Sequence, residues 1–209
     1  MTQIRWEPPE PREGLAGAWD KFVGPGATPA ENWLQAVPAA AAGIAVPVYA
    51  ILNDLGWTTV QLVVAGLLAF DIIGGVITNA TSTAKRWYHR EGQGFRQHFG
   101  FVAIHAVQVL LVAWLFRGGD WIFFGVMYGY LLTAAWIILR TPLYLQRPVA
   151  LVLYCGTILL GTYAFAPTAG LEWFIPFFFL KLLVSHLLKE APFHPGEATT
   201  CIPDPGSAQ

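Results

Sequence analysis

Asp71, His105 and Lys181 are ionisable residues set inside long apolar runs. Charge near the middle of a bilayer costs at least ~2.5–3.5 kcal/mol per group on insertion scales. Residues kept at that cost are candidates for chemistry, the alternative being a structural ion pair. A carboxylate and an imidazole in one apolar site are the parts of acid–base catalysis. Asp71 is the expected acid or base, His105 its partner or a metal ligand, and Lys181 a third catalytic or relay group.

Two further sets surround these three. Carboxylate and imidazole are good ligands for a divalent first-row metal, and Asp71, His98, His105 and His186 are the candidate set. No HxxxH or HExxH spacing places two ligands one helical turn apart, and the dense histidine boxes of membrane di-iron hydroxylases and desaturases are missing. Asn79 and Gln108 are candidate hydrogen-bonding residues for a substrate. Lys85, Arg86 and Arg90 form a basic turn suited to an anionic headgroup, although such a turn is most simply a topology signal. His89 and His98 are expected at the interface, in contact with solvent.

The stretch that must position these groups is 70–109, which holds three of the five histidines. An apolar helix carries Asp71 and ends near Asn79. A basic segment follows, and a second apolar helix carries His98, His105 and Gln108. Gly74 and Gly75, one turn after Asp71, leave room for a partner helix or ligand to approach.

The 209-residue chain is 55% hydrophobic and 12% charged, with a mean hydropathy of +0.50. Soluble domains carry about 25% charged residues, so lipid is the expected solvent. Nine Trp suit interfacial belts. The net charge of −1 says nothing about partners, but the lack of a basic, aromatic-rich patch argues against a nucleic-acid partner. Two cysteines, Cys155 and Cys201, are too few for a disulfide framework and are read as free thiols.

Continuous apolar runs predict an all-α, multi-pass bundle of six transmembrane helices, over 33–52, 58–81, 98–116, 121–139, 149–166 and 171–189. Residues 1–32 read as an N-terminal tail in which 15–23 is either disordered or an interfacial helix with Trp19 and Phe22 on the membrane. Residues 190–209 read as a disordered tail, and 82–97 and 140–148 as connections. Gly125 and Gly129 have the spacing of a common helix-packing face.

Lys and Arg fall in the N-terminal segment, in the second and fourth turns and at Lys189, whereas the alternate turns hold only Arg117. The positive-inside rule then puts both termini in the cytoplasm, in a bacterial-type inner or plasma membrane.

At 1.5 Å per residue, Asp71, His105 and Lys181 lie ~15, ~10 and ~12 Å from the cytoplasmic ends of their helices. Asn79, His89, His98 and His186 share a shallower layer. His98 and His105, seven residues apart, line one face. His186 is five residues beyond Lys181, a rotation of about 140° on a straight α-helix, so the two share a cavity only if that helix is bent or sandwiched.

The function expected from these residues is a small membrane enzyme acting on a lipid or isoprenoid substrate in a polar cavity open to the cytoplasm. Its partners would be the bilayer and a hydrophobic small molecule, with a homo-oligomer possible. The alternatives are a proton-coupled transporter or channel, and a structural subunit whose charges only fix helix pairing.

Overall fold

The computed structural model describes residues 6–193. His194, Cys201 and most of the expected C-terminal tail lie outside the described residues. The chain folds into helices throughout, with no strand among the described residues.

Helix α1 is Gly14–Val23 and α2 is Pro29–Leu52. Helix α3 is Thr59–Ala80 and α4 is Ser82–Tyr88. The next span, Phe95–Phe116, consists of α5 (Phe95–Ile104), α6 (Ala106–Leu111) and a π-helical end, Val112–Phe116. Helix α7 is Trp121–Arg140, α8 is Leu143–Tyr163, and α9 is Phe174–Phe179, continued as a π-helix over Leu180–His186.

Local chemistry sets several boundaries. Thr28 and Thr58 each accept a backbone N–H while Glu31 and Gln61 reach back, forming capping boxes at α2 and α3. Asp120 caps α7 by accepting from Phe123 N. Pro176 falls in the first turn of α9, where its missing N–H breaks no intrahelical bond.

Five helices are long and apolar enough to cross a membrane: Pro29–Leu52, Thr59–Ala80, Phe95–Phe116, Trp121–Arg140 and Leu143–Tyr163. Only 11–33% of their most apolar windows is buried within the protein. Ile44, Leu52, Leu67, Ile104, Ile122 and Val152 face outward. Apolar helices with an apolar exterior make a multi-pass membrane protein, because only lipid is a good solvent for that surface.

The expected sixth span differs. It has six α-helical and seven π-helical residues, about 20 Å if it rose as an α-helix, against a hydrocarbon core of ~30 Å. This short element is central. Phe178, Phe179, Leu182 and Leu183 are fully buried, together with Phe123, Met127 and Leu131 of α7. Helices α3, α7 and α8 pack around it.

Two connections are more ordered than the sequence implies. Residues 82–97 contain α4, and α8 starts at Leu143, taking Pro148 into its interior. Helix α1 is amphipathic, with Leu15, Trp19 and Phe22 outward and Gly17, Asp20 and Val23 inward. It is tied to α4 by Trp87 Nε1 donating to Lys21 O and the Tyr88 hydroxyl donating to Phe22 O. Among the described residues no helix packs on Gly125 or Gly129, since a Cβ at either would meet nothing within 4 Å.

One end of the bundle gathers the basic residues. The Arg140 guanidinium lies 4.7 Å from the Phe95 ring centroid, Arg147 pairs with Glu190, and Lys85 binds carbonyls at the end of the π-helix. At the opposite end Arg117 pairs with Asp120 at 2.9 Å and donates to Thr168 Oγ1.

Candidate functional site

The site is built on one face of α3. Asp71, Gly75 and Asn79 recur every fourth residue, so they form a stripe along the helix. The π-helix lies against that stripe. Lys181 Nζ donates to Asp71 Oδ2 at 2.8 Å, and its alkyl chain crosses Gly75, where a Cβ would collide with it. Farther along, His186 Nδ1 lies 3.1 Å from Asn79 Oδ1.

The π-helix explains how Lys181 and His186 serve one face despite their five-residue spacing. Closing i→i+5 hydrogen bonds widens the turn and brings residues five apart into rough register. The bond from Leu187 N to Leu182 O is of this kind. An α-helix would rotate the second residue by about 140°. The wider turn takes the place of the bend or sandwich that the spacing required.

Proton positions near Asn79 follow from its amide. Asn79 Nδ2 donates to Gly75 O at 2.8 Å, so Oδ1 is the acceptor toward His186. His186 therefore donates through Nδ1, and its neutral Nε2 accepts from His98 Nδ1 at 3.3 Å. The chain of donors runs from His98 to His186 to Asn79 to the Gly75 carbonyl. His89 stacks on His98 at 4.5 Å and donates through Nε2 to His186 O at 3.0 Å. Burial holds the His89 ring down to about 3, with the charges of His98 and Lys85 acting in the same direction, so this ring is neutral at pH 7.

His89 and His98 are therefore buried members of this network, in place of the expected solvent-facing interface residues. Lys85 and Arg86 are also buried. Lys85 Nζ donates to Ser185 O at 2.5 Å and Leu188 O at 2.6 Å, and Arg86 donates to Pro192 O at 3.0 Å. Ser185 O is a carbonyl that the end of the π-helix leaves without an intrahelical partner, and a cation is favourable there, whereas Leu188 O and Pro192 O belong to the segment that follows. Burial draws Lys85 down to about 8. Arg90 stacks over the Trp87 ring, 3.6 Å from its centroid, and donates to Trp87 O. The basic segment therefore spends donors of Lys85 and Arg86 on backbone carbonyls of this chain.

His105 breaks the third span. Its ring Nδ1 donates to Phe101 O at 2.6 Å, while its own backbone N–H turns to Val102 O. The side chain thus takes the carbonyl that an α-helical N–H at this position would have used, and α5 ends at Ile104. Phe101 stands between two histidines, 3.9 Å from the His186 ring and 4.7 Å from the His105 ring. His105 shares the deep region without a hydrogen bond to Asp71.

Gln108 is the third partner of the ion pair, its Nε2 donating to Asp71 Oδ2 at 3.1 Å. The Lys181 side chain is 3% exposed and that of Asp71 43%. The interior member of the pair is Lys181. The carboxylate opens into a groove of about 200 Å³ between α3 and the third span. Its walls are Val64, Leu67, Leu68, Val107 and Leu111, with Asp71 and Gln108 the polar groups. At Asp71 the opening is lateral, and at the basic end a separate half-polar pocket of about 630 Å³ lies among Gln146, Arg147, Lys189 and Glu190.

The proposed metal ligands do not converge. No group of three or more His, Cys, Asp or Glu side chains able to hold a metal ion occurs among the described residues. Asp71 is held by Lys181 and Gln108, whereas His98 and His186 use ring nitrogens on each other and on Asn79.

Sequence reasoning missed Phe101, whose place among apolar residues of α5 does not distinguish it from core. It also missed Glu31, which ties α2 to α4 through Thr83 Oγ1 at 2.8 Å and whose capping-box spacing was a readable signal. Compared with protein-family models, with curated proteins and with solved structures, the chain matches none.

Proposed function

We propose that this protein is a small membrane enzyme whose lipid-soluble substrate reaches Asp71 sideways from the bilayer. The observation that carries this reading is the half-open Asp71 carboxylate on an otherwise apolar groove wall. Asp71 serves as the base. Lys181 lowers the cost of keeping that base ionised within the membrane, and Gln108 fixes its orientation. Gly75 supports the arrangement by admitting the lysine chain.

In this reading the chain crosses the membrane six times, with the α9 unit and its flanking residues as the short last crossing. Both termini lie in the cytoplasm with the basic end of the bundle. Helix α1 lies in the interface with Leu15, Trp19 and Phe22 toward lipid.

The His98–His186–Asn79 chain favours a second reading, a proton-coupled transporter, because hydrogen-bonded imidazoles can relay protons. That reading needs a polar route onward from Asp71. The adjoining face of α3 carries Leu68, Leu67 and Val64, so the enzyme reading is preferred.

The test is mass spectrometry of molecules co-purifying with wild type and with Val107→Trp, which fills the groove from its exposed edge. A hydrophobic compound enriched in wild type and lost in the variant supports the reading. Equal lipid content in both, with no labelling of groove peptides by a photoreactive alkyl probe, overturns it.

A further inference from the structure

The groove also carries information about which polar group it receives. Asp71 Oδ2 takes both protein donors, Lys181 Nζ and Gln108 Nε2. Among the described residues no group donates to Asp71 Oδ1, and Gln108 Oε1 is buried with no hydrogen-bond partner. The amide cannot be turned to relieve this, because reversal would point its oxygen at the carboxylate. An orphaned acceptor in an apolar setting costs about 1–3 kcal/mol. The valence open to the groove, on the half-exposed Asp71 carboxylate, is therefore an acceptor and is met only by a donor, while Gln108 Oε1 is buried.

The sign of charge narrows the ligand further. Lys181 already balances Asp71, so a cationic headgroup would leave a net charge of +1 in the apolar region, which is unfavourable. A neutral donor carries no such penalty. The groove's 200 Å³ matches about six or seven waters at ~30 Å³ each. That is room for a small head and the first carbons of a chain, with the remainder of the chain lying in lipid.

We propose that the groove selects neutral lipid alcohols, seating the hydroxyl hydrogen on Asp71 Oδ1 of the carboxylate that Gln108 orients, over ethers, ketones and quinones that present acceptors only. The inference rests on the reading of the groove as a substrate site and specifies the substrate class. A site built to bind a hydroxyl discriminates strongly against analogues lacking it, because its own polar groups are then left unpaired.

The experiment uses the full chain in lipid nanodiscs and a photoreactive dodecyl probe that labels peptides of α3 and the third span. Dodecanol, methoxydodecane, 2-dodecanone and dodecylamine compete for labelling. Dodecanol is expected to compete at about tenfold or more lower concentration than the ether and ketone. That advantage is expected to fall to within about twofold in Gln108→Leu and in the double variant Asp71→Leu/Lys181→Met, which removes the two charges together.

Equal competition by alcohol and ether overturns the donor inference and leaves the groove reading intact. Competition led by the charged amine overturns the neutral class. Probe labelling that none of the four displaces, and that Val107→Trp does not reduce, overturns the groove reading itself.

Discussion

The Lys181 ammonium is buried and the Asp71 carboxylate it meets at 2.8 Å is half open, so the two members of this ion pair are not equivalent. Removing the carboxylate strands a cation in the core. Removing the lysine leaves an anion that keeps Gln108 Nε2 but faces an apolar groove. Asp71→Asn and Lys181→Met are each expected to destabilise by about 3 kcal/mol, the lower end of the range for breaking a buried pair, because the asparagine oxygen still accepts from Lys181 and Gln108 still donates to a lone carboxylate. The Asp71→Asn/Lys181→Met double variant should be milder than Asp71→Asn alone. Thermal unfolding in detergent, run beside a functional assay, measures this. Strictly additive losses would contradict the pair, and full recovery of stability and function in the double variant would mark it as structural only.

Asp71, Lys181 and their common depth were legible in the sequence because charged residues stand out in apolar runs and helical rise is constant. The five long spans were legible for the same reason, their apolar runs being uninterrupted. The partnership of Lys181 with His186 was not, since an α-helix rotates them apart and no propensity marks Leu180–His186 as π-helical. The burial of Lys85 and Arg86 was hidden too. Composition cannot show that the chain after His186 supplies carbonyls at the distance their side chains reach. The break at His105 depends on a side chain replacing a backbone bond, which periodicity does not report.

Lys85 holds the end of the π-helix through two short bonds to Ser185 O and Leu188 O. Lys85→Met keeps the alkyl bulk but removes the donor, leaving two carbonyls without partners. The expected cost is about 3 kcal/mol, from two charge-assisted hydrogen bonds of about 1.5–3 kcal/mol each, discounted for residual solvation. Hydrogen exchange read by mass spectrometry should rise in peptides covering 185–190 and stay unchanged in α7. Unchanged protection at 185–190 would show that this clamp contributes little.

His89 gives the fold a pH dependence of definite sign. Its folded value of about 3 lies below the unfolded value near 6.5. Above pH 6.5 the ring is neutral in both states and carries no penalty. As pH falls from 6.5 toward 3, the unfolded state takes up a proton that the folded state refuses, and stability is lost by up to about 1.4 kcal/mol per pH unit. His98, Lys85 and Lys189 face the ring and oppose its protonation, while His186 O accepts its N–H. His89→Gln, which can still donate to His186 O, should lose less stability than wild type between pH 7 and 5. Parallel curves for the two proteins would refute this assignment.

The membrane arrangement yields the last prediction. Ser82, Gln146 and Ala191 lie at the end that gathers Lys85, Arg86, Arg140 and Arg147, whereas Gly118 and Ala169 flank Arg117 and Thr168 at the other. The positive-inside rule assigns the first end to the cytoplasm. With Cys155 and Cys201 replaced by serine, single cysteines at Ser82, Gln146 and Ala191 should react with an impermeant maleimide only in inside-out vesicles. Cysteines at Gly118 and Ala169 should react only in right-side-out vesicles. The Ala169 and Ala191 pair is decisive for the short α9 unit, because 13 helical residues are fewer than the roughly 20 an isolated span needs. Here Phe178, Phe179, Leu182 and Leu183 are buried against protein, so the unit need not match the lipid thickness itself. Labelling of Ala169 and Ala191 from the same side would make it a re-entrant element and reduce the crossings to five. Labelling of Ser82 and Gly118 from the same side would remove the crossing by the third span, and with it the depth assigned to His105.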